Sequence, residues 1–132
     1  MLMTMERKEL LERYYILSPD WGSHTTDVLF RKDAKGFVHL NLKKGDDAPS
    51  ISDLFVEPSA RNKGIGQELL DAAEVLARIK GFTSVFLWCT DGGWEESWYH
   101  RRGYRRFPNG EKTDWGDIFM EKDFNNNHTI KK

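Results

Sequence analysis

Along this chain the spacing of apolar residues changes repeatedly, and each change predicts an element. In residues 4–15, Leu10, Leu11, Tyr14 and Tyr15 recur at the i, i+3, i+4 spacing of one helical face among strong helix formers, which predicts a first helix. Pro19, Asp20, Trp21 and Gly22 break it. Residues 26–31 and 37–42 carry β-branched and aromatic side chains, and the turn residues 33–36 between them predict an antiparallel hairpin. A third strand is expected over 51–56, closed by Pro58. From Ile65 the period becomes helical: Ile65, Leu69, Leu70, Ala73, Leu76 and Ala77 share a face as far as Lys80, and Gly81 stops the helix. Residues 83–90 are almost continuously apolar, as in a strand covered by helices on both faces. A turn at 91–93, a short helix over 94–102 ending at Gly103, and strands over 104–107 and 117–122 complete the order. The order is α-β-β-β-α-β-α-β-β, a mixed α/β (α+β) fold.

The 132 residues suit one domain, expected over 1–124, with a polar, frayed tail over 125–132. Hydrophobic residues at 39% and aromatics at 13% exclude a disordered chain. The 20 Lys and Arg against 21 Asp and Glu leave a net charge of −1, so no bulk charge points to a nucleic-acid partner. The longest apolar run, residues 85–89, is far below the ~20 residues that span a bilayer. Charge at Glu6, Arg7 and Lys8 interrupts any signal-peptide pattern, so no membrane partner and a cytoplasmic location are expected. Cys89 is the single cysteine, which excludes an internal disulfide and fits a reducing compartment. His24, His39, His100 and His128 show no metal-ligand spacing; they read as scattered surface or loop residues, and no metal is expected.

The stretch richest in chemistry is Arg61-Asn62-Lys63-Gly64-Ile65-Gly66, between a strand and a helix. A glycine-containing turn feeding a helix leaves backbone amides unpaired at the positive end of the helix dipole, where phosphate oxygens bind. Gly64 and Gly66 permit close backbone approach, and Arg61 and Lys63 add charge-assisted bonds. The hexapeptide by itself reads equally as a glycine-rich helix start with no ligand. It lacks the Gly-Lys-Ser/Thr ending of a Walker A loop and the third glycine of a dinucleotide fingerprint.

That hexapeptide resembles the Arg/Gln-x-x-Gly-x-Gly/Ala signature of the GNAT superfamily of acetyl-CoA-dependent N-acetyltransferases. Asp53-Leu54-Phe55-Val56-Glu57-Pro58 is similar to that family's fourth strand, and Gln67-Glu68-Leu69-Leu70 to its signature helix. Trp98-Tyr99-His100-Arg101-Arg102-Gly103-Tyr104 resembles its second motif, aromatic-Tyr-x-x-x-Gly-Phe/Tyr. The likeness covers roughly residues 26–122, with both motifs in the family's order.

The resemblance implies a central, mostly antiparallel twisted sheet flanked by helices, with the fourth and fifth strands splayed to hold acetyl-CoA. It implies a mid-strand bulge turning backbone groups near Phe55 and Val56 toward the pantetheine and the thioester carbonyl, with the pyrophosphate on Arg61, Asn62, Lys63, Gly64, Ile65 and Gly66. A neutral primary amine would attack the thioester directly, with no acyl-enzyme, and Cys89 would be a packed strand residue. Tyr99 matches the family's general acid, which protonates the departing CoA thiolate; it reads also as an aromatic packing its helix onto the sheet. Asp53 matches a strand position often acidic in the family and is the first candidate for the base. Glu57 is the second, and strand alternation would put both on one face; each reads also as a solvated carboxylate.

The chain departs from the family pattern in three places. No strand is evident before the first helix, the usual two-helix insertion is reduced to one helix and the loop 18–25, and the asparagine common after the fifth strand is missing from Asp91-Gly92-Gly93-Trp94. The acceptor pocket is then open, suited to a protein or peptide substrate, or completed by a second copy of the chain. Trp88, Trp94 and Trp98 read as core packing or as the lining of an acceptor or pantetheine channel. Arg101, Arg102, Arg105 and Arg106 read as a solvated basic edge, or as contacts for the CoA 3′-phosphate or an acidic acceptor. The expected function is acetyl transfer from acetyl-CoA to a primary amine; the rival is a catalytically inactive GNAT-like module that binds CoA or a protein partner.

Overall fold

The computed structural model describes residues 7–107 and 116–125, which divide into two compact units between Phe82 and Thr83. In the first unit the order is α1 (Arg7–Arg13), β1 (Tyr14–Leu17), β2 (His24–Arg31), β3 (Gly36–Lys43), β4 (Ser50–Val56), a 3-10 turn (Pro58–Ala60) and α2 (Ile65–Ile79). The strands form an antiparallel meander, β1-β2-β3-β4. One face carries α2, whose predicted apolar stripe is the buried one: Ile65, Leu69, Leu70, Ala73, Leu76 and Ala77. Leu29, Val38, Leu40 and Ile51 supply the sheet side of that core. Gly36 is required by close approach, since a Cβ there would meet the Phe55 carbonyl oxygen at 2.6 Å and Leu69 Cδ1 at 2.9 Å.

In the second unit the elements are β5 (Ser84–Thr90), α3 (Trp94–His100), β6 (Arg105–Arg106) and β7 (Asp117–Asp123), with strand order β5-β7-β6 and antiparallel pairing. Seven strands and three helices among the described residues give the expected mixed α/β class.

Two elements differ from expectation. The first helix stops at Arg13, and Tyr14 and Tyr15 begin a strand paired with β2 in the register Tyr14↔Arg31 to Leu17↔Val28. The run Tyr-Tyr-Ile-Leu has high strand propensity, and the ladder satisfies its backbone. Leu11 and Tyr15, expected on the buried face of a helix, are 46% and 60% exposed. The loop between Leu17 and His24 therefore joins two strands, closed by a single bridge, Asp20↔Thr25. The second difference is β5: its burial alternates, with Val85, Leu87 and Cys89 buried while Trp88 is 42% exposed. Phe86, Trp88, Phe107 and Phe119 form an aromatic cluster on the other side of this small sheet, so its apolar run serves two distinct faces. The tail expected over 125–132 lies, beyond Asn125, outside the described residues.

Candidate active site

The start of α2 is built for close backbone approach. Asn62 and Gly64 take left-handed conformations, φ +65° and +82°, and Gly64 is the N-cap. No side chain caps the helix at Gly64, and its first backbone bond is Glu68 N–H to the Gly64 carbonyl at 3.2 Å. Amides earlier in the turn have no acceptor within the helix. Arg61, Asn62, Lys63 and Gly64 are exposed, Gly66 is half-buried, and Ile65 is buried as the first anchor of the helix. A Cβ at Gly64 would meet open space, so the surface over the turn is clear. Arg61 donates from Nε to the Val56 carbonyl at 2.9 Å with its guanidinium over the Phe55 ring, which ties this turn to the end of β4. These residues fit a diphosphate: amides at a helix start, two cations and no acidic side chain in the hexapeptide.

Within β4 the ladder slips. Phe37 pairs with Phe55 and His39 with Ser52, so Asp53 and Leu54 together stand opposite Val38. This is a β-bulge, and Asp53 sits at φ +52°, a conformation few residues other than glycine accept and which Asn and Asp tolerate best. The bulge thus lies at Asp53 and Leu54, immediately before Phe55 and Val56, which are paired with Phe37 and Gly36. The extra residue also cancels simple alternation as the guide to the faces of Asp53 and Glu57. Asp53 Oδ2 lies 3.2 Å from His39 Nδ1 and accepts from Ser52 Oγ at 3.0 Å. Glu57 instead accepts from the backbone and hydroxyl of Ser59, capping the 3-10 turn, and these bonds hold its carboxyl below the usual range.

His39, expected to be a scattered histidine, instead faces the Asp53 carboxylate. Only the bulge brings Asp53 onto it, and the one local signal was its place in alternation with Phe37 and Asn41.

In the second unit Tyr99 packs edge-on against Trp98 and Tyr104, at ring-centroid distances of 5.2 and 5.6 Å. Burial, then the neighbouring Cys89 and Glu95, push its phenol up to about 12. Cys89 is buried, its Sγ 3.7 Å from Met120 Sδ, and burial with nearby acids pushes its thiol up to about 11. A thiol so held is a poor nucleophile.

The tryptophans do not form a core, since Trp94 is 74% exposed and Trp98 half-buried. The arginine run divides by partner. Arg106 bonds Glu96 at 2.7 Å and Asp91 at 2.6 Å and clamps the turn before α3, Arg102 lies over the Trp98 ring, and Arg101 bonds Ser97. No helix among the described residues is long and apolar enough to cross a membrane, and no metal-binding group is found among them.

Comparison with known proteins follows the same lines. A family model described as an acetyltransferase (GNAT) domain matches residues 23–106, more than half the chain. A search by sequence among curated proteins finds no match. Among solved structures, the PaiA N-acetyltransferase of Thermoplasma acidophilum, in complex with coenzyme A, is similar at 26% identity and a TM-score of 0.59. The match covers 76% of this chain and 61% of that one, so this chain spans less than two-thirds of its relative's length. A GNAT-family acetyltransferase of Staphylococcus aureus MU50 shares the fold at 17% identity and a TM-score of 0.59, over 76% of this chain and 68% of that one. A Klebsiella pneumoniae subsp. pneumoniae protein does so at 17% identity and a TM-score of 0.60, over 84% of this chain and 97% of that one. With two motifs in order, the predicted fold class and a matching family model, the chain belongs to the GNAT acetyltransferase family, whose members carry out acyl transfer.

Proposed function

We propose that this chain transfers an acetyl group from acetyl-CoA to a primary amine by direct attack of the amine on the thioester. The observation that carries the reading is the uncapped start of α2, where Asn62 and Gly64 hold backbone amides at an open surface flanked by Arg61 and Lys63. Coenzyme A in the Thermoplasma relative supports an acyl-CoA cosubstrate here. On this reading Arg61, Asn62, Lys63, Gly64, Ile65 and Gly66 bind the diphosphate, and Phe55 and Val56 lie along the pantetheine. Tyr99 stays protonated at neutral pH because its phenol is held at about 12, and it supplies a hydrogen bond and then a proton to the leaving thiolate. The proton of the amine leaves at the β4 bulge, where Asp53 meets His39. The open acceptor side, with a loop in place of two helices between β1 and β2, suits an accessible amine.

Thermal denaturation with acetyl-CoA and with CoA, followed by thiol release against a panel of amines, tests the reading. Stabilisation by both coenzymes and thiol release with an amine are expected. Stabilisation without thiol release from any amine leaves a CoA-binding module, and no stabilisation overturns the assignment.

A further inference from the structure

The face of the β1–β4 sheet opposite α2 carries a second constellation. Strand register sets its rows, because residues directly opposite across a ladder share a face. Tyr15, Phe30, Phe37 and Phe55 form one row, and Leu17, Val28, His39 and Ser52 form the next. The aromatic row is in ring contact, with Phe30–Phe37 at 5.7 Å and Phe37–Phe55 at 5.3 Å, and Phe37 also touches the His39 ring at 5.7 Å. Tyr15, Leu17, Phe30 and Phe55 remain 37–60% exposed.

Across this face runs a chain of hydrogen bonds that ends on the imidazole. Trp21 Nε1 donates to Thr26 Oγ1, Thr26 to Asn41 Oδ1, Asn41 Nδ2 to Ser52 Oγ, and Ser52 to Asp53 Oδ2, at 3.3, 3.0, 2.9 and 3.0 Å. Asp53 Oδ2 in turn faces His39 Nδ1 at 3.2 Å. With the Nδ1 proton directed at the carboxylate, the Nε2 lone pair is left as the acceptor. The bulge keeps Asp53 at positive φ, a strained arrangement that here serves to aim one carboxylate. Among the described residues, Asp53 of β4 is the charged group facing His39; β2 presents Val28, and β3 itself presents Phe37 and Asn41.

We infer that His39 is the general base of the acceptor half-reaction, oriented by Asp53, and that the acceptor is a primary amine on an apolar or aromatic body. This rests on the acetyl transfer proposed above. The ammonium gives one proton to His39 Nε2, which passes it to solvent. The neutral amine forms the C–N bond to the thioester carbonyl, and the C–S bond breaks on collapse. The thiolate is protonated as it leaves, and loss of the second nitrogen proton completes the amide. Asp53 is a positioning residue: its carboxylate, facing Nδ1, fixes the tautomer and the orientation of the ring. The aromatic row receives the body of the acceptor and attracts its cation before deprotonation.

Thiol release from acetyl-CoA is measured with phenethylamine, hexylamine and glycine, across pH, for wild type, His39→Gln, His39→Ala and Asp53→Asn. The coenzyme-induced rise in Tm is recorded for each as the check of fold and cosubstrate binding. Both apolar amines are expected to exceed glycine in kcat/KM by about tenfold or more. His39→Gln is expected to lose about a hundredfold in kcat/KM, together with the acidic limb of the pH profile, while the Tm rise persists. Asp53→Asn is expected to keep that limb but lose about tenfold in kcat, because an amide holds the Nδ1 proton and the ring less firmly than a carboxylate. Added imidazole is expected to restore His39→Ala and not Asp53→Asn. The inference is overturned by an acidic limb that survives His39→Gln, by one abolished only in Asp53→Asn, by equal use of glycine, or by wild type that acetyl-CoA stabilises but neither apolar amine turns over. Loss of stabilisation by acetyl-CoA in wild type would instead overturn the acetyl transfer reading itself.

Discussion

Burial raises two acids in the second unit, the Tyr99 phenol to about 12 and the Cys89 thiol to about 11. For Tyr99 the folded value exceeds the unfolded value of about 10, so its contribution to stability is complete below pH 10 and is lost as pH rises toward 12. Tyr99→Phe removes that dependence: urea denaturation between pH 10 and 12 should show a shallower fall in stability than wild type. The same variant should lose about 10- to 100-fold in turnover at neutral pH while its stabilisation by acetyl-CoA is unchanged. Cys89, its thiol pushed up by burial to about 11, presents about a hundredfold less thiolate at pH 8 than a free thiol. Its alkylation by iodoacetamide, followed by mass, should be slower in the folded protein by at least that factor. Neither shift is legible in the residue names, because each comes from neighbours that only the folded chain supplies.

At the scale of elements, two glycines hold β4 and α2 in place. Gly36→Ala would push a methyl group into the Phe55 carbonyl and the Leu69 side chain. A strand backbone cannot yield as a side-chain tip can, so a loss of about 2 kcal/mol is expected in urea denaturation. Gly64→Val would strain a residue at φ +82° and put a branched side chain into the open surface over the turn. Its stabilisation by acetyl-CoA should fall sharply. The left-handed turn at Gly64 was legible in the sequence, because a glycine between a strand and a periodic helix favours positive φ. That of Gly36 was not, because it depends on strand β4 and helix α2 arriving from elsewhere in the chain. The strand at Tyr14–Leu17 was hidden for a related reason: its spacing also satisfies a helical face, and pairing with β2 decided between the two.

For the molecule as a whole, ligand linkage gives the broadest test. A cosubstrate bound only by the folded chain stabilises it by about 2.7 kcal/mol at a hundredfold excess over Kd, and a chain of this size should gain several degrees in Tm. CoA and acetyl-CoA should give similar shifts, since both carry the diphosphate that the start of α2 is proposed to bind. The amphipathic period of α2, the glycine turn before it and the aromatic-Tyr-x-x-x-Gly-Tyr run were all determined by contiguous residues, since local backbone geometry and helical faces are encoded within a few positions. The bulge at Asp53, the carboxylate on His39 and the open aromatic face were decided by the tertiary structure alone. Each depends on the register in which distant strands meet, and one inserted residue in a ladder changes which side chains share a face.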